Sequence, residues 1–171
     1  MDVRAAQAPL KERYWRDPGS ARIKRTARAS EGERGRAADQ LLRRCRRGDP
    51  RGTGVCRHGG PGIAACSGDL LLGALAACAQ VTCHARGCFE GGHATRSIAV
   101  IVEGELLDLR VTLGVDRDAP VGFERIERFE IDALGVSREQ IALLVERAER
   151  YCVVLQTLVV PPPVDTVVVS R

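Results

Sequence analysis

Apolar and polar residues change period along this chain, and the changes mark its elements. Residues 67–82, SGDLLLGALAACAQVT, are apolar at nearly every helical position from Leu70 to Val81. Ser67 reads as an N-cap, and Asp69 in the first turn suits the helix dipole. A helix that is apolar all round is a central, buried one. Residues 97–115, SIAVIVEGELLDLRVTLGV, are rich in Ile, Val and Leu and predict strands with a turn near Glu103-Gly104. After the loop DRDAPVG, the segment FERIERFEID alternates, with Phe129 and Ile131 on one face. SREQIALLVERAERY is the clearest helix: Ser137 and Gln140 form a capping box, and Ile141, Leu144, Val145 and Ala148 keep helical spacing. CVVLQTL then continues as a shorter helix or a strand up to Pro161, and VDTVVVS reads as a terminal strand.

Two stretches have no such order. Residues 29–65 show no sustained period, and Leu41-Leu42 is their one apolar pair. Such a stretch buries little surface and is expected to be loop-like or disordered. Residues 83–97 are similar in being rich in Arg, Gly, Cys and His. GC-rich DNA read out of frame gives that composition, so compensating frameshifts are one reading of both stretches. Residues 1–28 read as a lead-in of one or two helical turns, broken by Pro9 and Pro18 and docked by Tyr14 and Trp15. Together these elements predict a single α+β domain over 1–171, an antiparallel sheet packed on a central buried helix.

Composition narrows the class. The 171 residues are 44% hydrophobic and 28% charged, a globular balance. No continuous apolar run suggests a bilayer span or a secretory signal, so a cytoplasmic protein without a membrane partner is expected. Arg outnumbers Lys 24 to 2, a bias of GC-rich coding more than of any partner. Charge is uneven: residues 1–62 carry 16 basic and 7 acidic side chains, residues 63–171 carry 10 and 15. A basic half can be a nucleic-acid footprint. Aromatics are only 4%, however, and none lies between positions 16 and 88, so stacking platforms are missing and nucleic acid is not expected.

Seven cysteines in a reducing compartment point to metal or thiol chemistry rather than a disulfide framework. Cys83, Cys88 and His93 stand at C-x4-C-x4-H spacing, with Cys56 and His58 upstream. That is a loose match to structural zinc, and no metal or other cofactor is expected. GGPG at 59–62 follows no strand and lacks a Lys-Ser/Thr tail, so it is no phosphate loop. The stronger signal is one cysteine on each of two ordered elements. Cys78 lies in the central helix, and Cys152 lies at the break after the capped helix. A thiol at a helix N-terminus has a lowered pKa. Two thiols brought together suit a cycle of attack, sulfenic acid and resolving disulfide. Taken on pattern alone, both are equally well small core hydrophobes.

GDLLLGALAACAQVT and ERYCVVLQTL together resemble the OsmC family, the osmotically inducible and organic-hydroperoxide-resistance proteins. GELLDLRVTLGVDRDAPVGFERI and the lead-in QAPLKERYWRDP are similar to one branch of it. The resemblance implies an intertwined α+β homodimer with sites at the interface. It implies a thiol peroxidase that reduces organic hydroperoxides, with Cys78 peroxidatic, Cys152 resolving and a dithiol as reductant. Asp69 matches the acid of the broader family, whereas Gly68 stands where the family's peroxidases carry Glu. The Arg that works with that acid is not placed; Arg13 and Arg28 are candidates. The alternative is a binding or structural member of the same fold with an inactive site.

Overall fold

A computed structural model of the chain describes residues 2–30, 67–91, 97–134 and 136–169. The readings of Cys45, Cys56, His58 and His93, and of most of the Arg-rich stretch, lie outside the described residues. Helix α1 (Val3–Arg16) is followed by a 3-10 turn (Pro18–Ala21) and strand β1 (Arg22–Ser30). Then come α2 (Ser67–Gly91), β2 (Ser97–Asp108), the short α3 (Leu109–Thr112), β3 (Arg125–Leu134), α4 (Arg138–Tyr151) and α5 (Val153–Val159). The sheet is antiparallel in the order β1-β2-β3. Helix α2 packs on β1 and β2 on one side and on α4 and α5 on another. This is the α+β arrangement expected, a three-stranded sheet on a central helix.

The core follows from alternation on the strands and periodicity on the helix. Ile98, Val100 and Val102 of β2 are fully buried, as are Leu72, Leu75, Ala76, Ala79 and Cys83 of α2. Leu144 and Ala148 of α4 close the same cluster. The capping box of α4 is present: the Gln140 amide donates to Ser137 Oγ at 3.3 Å, and the Ser137 amide donates to Gln140 Oε1 at 2.8 Å. A second cluster joins Tyr14, Ala21, Ile23, Leu109 and Leu113. Tyr14 docks α1 as expected, whereas Trp15 stays exposed.

Several expectations are corrected. The lead-in is not a turn or two but a 14-residue helix that runs through Pro9. Asp2 caps it, accepting from the Arg4 amide at 2.9 Å. Pro9 and Ala5 both face solvent, where water can serve the carbonyl that Pro leaves without a donor. Residues 22–30 form a strand, and its register with β2 takes in residues 29 and 30 of the stretch read as irregular. The turn foreseen at Glu103-Gly104 is a register shift within the continuous strand β2. Glycine is needed there for close approach: a Cβ on Gly104 would lie 2.7 Å from Phe123 Cδ1 and 3.0 Å from Leu72 Cδ1. Residues 109–112 turn into a helix instead of extending as strand, with Asp108 as its cap. Helix α2 continues past the foreseen break to Gly91 and starts at Ser67, so Ser67 is its first residue. VDTVVVS joins no sheet over its described residues 164–169, which are exposed. Finally, Ser67–Ala85 is long and apolar enough to cross a membrane by length and composition, with mean hydropathy 1.2. Here it is the central helix, with Leu72, Leu75, Ala76, Ala79 and Cys83 inaccessible to solvent.

Candidate active site

Three free thiols gather where α2 meets the junction of α4 and α5: Cys78, Cys83 and Cys152. Cys152 is the hinge of that junction. Its amide donates to the Ala148 carbonyl, ending α4, and its carbonyl accepts from the Gln156 amide, starting α5, each at 2.9 Å. Its extended backbone (φ −71°, ψ 109°) breaks the helix and turns its side chain into the core, where it is fully buried. Cys78 packs against the cluster that contains it. Residues 74 positions apart in the chain thus meet in one cluster.

The electrostatics of Cys152 differ from the expectation for a helix N-terminus. Burial pushes its thiol up to about 11, and the neighbouring Cys78 adds to the rise. The Leu155 and Val154 amides pull the other way but do not overcome desolvation. Cys152 therefore rests as a neutral thiol at pH 7. Cys83 is more strongly affected: burial first, and the charge of Cys152 second, push it up to about 12. Its thiol faces the Leu144 carbonyl at 3.9 Å. Of the three, only Cys78 is partly exposed.

Helix α2 is not covered all round by the described residues. Leu71, Ala74, Val81 and Ala85 recur at spacings of three, seven and four and face solvent, with Val81 63% exposed. Cys78 falls between Ala74 and Val81 in that progression, where the exposed stripe meets the core.

Asp69 forms the other charged feature of α2. The guanidinium of Arg25, 6% exposed on β1, lies against its carboxylate, with Nε 3.1 Å from Oδ1 and Nη2 donating to Oδ2 at 3.2 Å. Nη2 carries the hydrogen bond, and Nε adds a charge contact without one. The arginine paired with Asp69 is thus Arg25, which was not among the candidates Arg13 and Arg28. Strict alternation on β1, with Ile23, Arg25, Ala27 and Ala29 inward, was the signal that could have found it. Asp69 precedes Cys78 by nine helical residues, which is about 13.5 Å along the axis and half a turn round it. Within one chain the pair therefore does not reach the thiol.

Among the described residues, no group of three or more His, Cys, Asp or Glu is arranged to hold a metal ion. A hollow of about 430 Å³ beside Trp15, Arg110 and Asp116 shares no lining residue with the thiol cluster.

The arrangement sets one partly exposed thiol at the edge of an apolar cluster that holds two buried ones, on an α+β frame. The profile of the OsmC-like protein family matches residues 59–167, which takes in both cysteines and every described element from α2 to α5. The chain belongs to that family. A search of curated proteins gave no match.

Proposed function

We propose that this chain is a thiol-dependent peroxidase that reduces organic hydroperoxides by a two-cysteine cycle. The observation that carries the reading is that partly exposed Cys78 packs against the apolar cluster in which Cys152 is buried. The Cys78 thiolate attacks the distal peroxide oxygen, the O–O bond breaks, and the alcohol leaves with a proton. Sulfur is oxidised by two electrons to sulfenic acid. The Cys152 sulfur then attacks Cys78, a disulfide forms and water departs. A dithiol returns the pair to thiols by two exchange steps. Cys152 is suited to the second role: a neutral thiol is a poor first nucleophile but stands against the sulfenic acid as it forms.

The active unit of this reading is a homodimer. The stripe Leu71, Ala74, Val81 and Ala85 is an apolar helix face that the described residues leave uncovered, and a second copy supplies the cover. The Arg25–Asp69 pair acts on Cys78 only across such an interface. A reducing, cytoplasmic setting suits three free thiols. The inactive alternative draws support from the same distance between Arg25–Asp69 and Cys78.

Turnover of cumene hydroperoxide with a dithiol reductant tests the reading. Wild type is expected to turn over, and Cys78→Ser to lose activity entirely. Cys152→Ser should stall as sulfenic acid after one equivalent. A folded wild type without turnover would support the inactive reading.

A further inference from the structure

Trp15 is the sequence's one tryptophan, and it stands 73% exposed near the end of α1. It borders the hollow of about 430 Å³, a volume in the range of small-molecule sites. We propose that this hollow binds a free α-amino acid with a flat apolar side chain, its carboxylate on Arg117, its ammonium on Asp118 and its side chain against Trp15. The hollow and the thiol cluster share no residue, so the proposal stands whether or not the peroxidase reading does.

The walls of the hollow are built before any ligand arrives. Gly114 adopts a left-handed conformation (φ 68°), which turns the chain back over α3. The Val115 and Asp116 amides then donate to the Arg110 carbonyl at 2.8 and 3.3 Å. Arg110 Nη2 donates to Asp108 Oδ2 at 2.6 Å, and Arg110 Nη1 lies 3.6 Å from Asp116 Oδ2. Asp116 Oδ1 accepts from the Asp118 amide at 3.1 Å and from the Ala119 amide at 3.4 Å. On the other side α1 is anchored by Tyr14, which is buried with Leu109 and Leu113. Walls held in this way reduce the ordering that a ligand must impose.

The polar groups of the lining divide into those already engaged and those left over. Arg110 and Asp116 are engaged with each other, with Asp108 and with the loop amides. Among the described residues, no hydrogen bond or ion pair engages the side chains of Arg117 and Asp118, although the two are neighbours in the chain and both are exposed. What remains for a ligand is one guanidinium, one carboxylate and one indole face. An anion alone would meet Asp118, and a cation alone would meet Arg117, each at like charge. A zwitterion matches both groups, and a flat apolar side chain stacks on the indole beside half-buried Val115.

Because Trp15 is the sole tryptophan, its emission reports on the hollow directly. The chain is titrated with L-phenylalanine, with phenylpropionate, which lacks the ammonium, and with phenethylamine, which lacks the carboxylate. Calorimetry on the same three probes supplies a readout independent of Trp15. The expected result is saturable binding of L-phenylalanine, with each single-charge analogue about tenfold weaker for the loss of one charge-assisted contact. Arg117→Ala should erase the preference for L-phenylalanine over phenethylamine, and Asp118→Ala the preference over phenylpropionate. Both side chains are exposed, and circular dichroism checks that both variants fold. Trp15→Ala should weaken binding by calorimetry. Phenylpropionate or phenethylamine binding wild type as tightly as L-phenylalanine would overturn the zwitterion and with it the proposal. Absence of saturable binding of all three probes by both methods would overturn it as well.

Discussion

Burial of Cys83 makes stability depend on alkaline pH, and the dependence can be isolated. In the unfolded chain its thiol titrates near the ordinary 9.0, and in the fold burial holds it up to about 12. A group whose folded value is raised gives its full contribution below the unfolded value and loses it as pH climbs toward the folded one. From 9.0 and 12, the loss by pH 10 is about 1.4 kcal/mol, since the unfolded thiol is then largely ionised while the folded one is not. Other groups titrate in the same range, so the useful quantity is a difference. The destabilisation caused by Cys83→Ala should shrink by about 1.4 kcal/mol between pH 7 and pH 10. Urea unfolding of both proteins under a phosphine reductant at several pH values measures it. A mutational cost that stays constant from pH 7 to 10 would refute the argument, because it would mean that Cys83 ionises as freely folded as unfolded.

Other outcomes follow from single contacts. Gly104→Ala should destabilise by about 1–3 kcal/mol, because its Cβ meets Phe123 at 2.7 Å, and Phe123→Leu should recover part of that in the double variant. Asp69→Ala leaves the buried Arg25 guanidinium without its carboxylate, a loss of about 3 kcal/mol in urea unfolding. Arg25→Met combined with Asp69→Ala should be milder than Asp69→Ala alone. Side-chain hydrogen bonds from Arg110 hold the Asp108 carboxyl below its ordinary 3.8. That contribution is present above 3.8 and fades as pH falls toward the lowered folded value, so the cost of Asp108→Asn should be larger at pH 7 than at pH 3. Val81→Glu on the exposed stripe should give a monomer by sedimentation if a second copy covers α2.

Elements with a strong local pattern were readable from the chain. α4 carries its capping box and a one-sided apolar face, and both reappear in place. α2 was readable as the central helix, but not as a helix buried on one side only. A sequence apolar all round does not say whether its second cover comes from the same chain. β1 was lost because its inward positions are Ile23, Arg25, Ala27 and Ala29, between outward Lys24, Thr26 and Arg28. A buried Arg and two Ala carry too little hydrophobic contrast for a period of two to stand out. Gly104 misled in a different way: glycine in a strand suits a turn or a close approach, and only the position of Phe123 decides between them.

The two cysteines of the candidate site were readable because each lies in a distinctive context; the third was not. Cys83 sits in a stretch whose composition looked foreign, yet it fills the core completely and touches the backbone of α4. Five residues separate Cys78 and Cys83, which puts them about 140° apart around the helix. No period relates them, and only a residue arriving from elsewhere can join them. Cys152 does so, because the break between α4 and α5 delivers its side chain to the inner side of α2. The same geometry assigns different chemistry to identical groups. The sulfur bordering solvent is the one a solute can reach, whereas the two inside are held neutral by desolvation. The difference in burial among three thiols thus separates one accessible sulfur from two secluded ones.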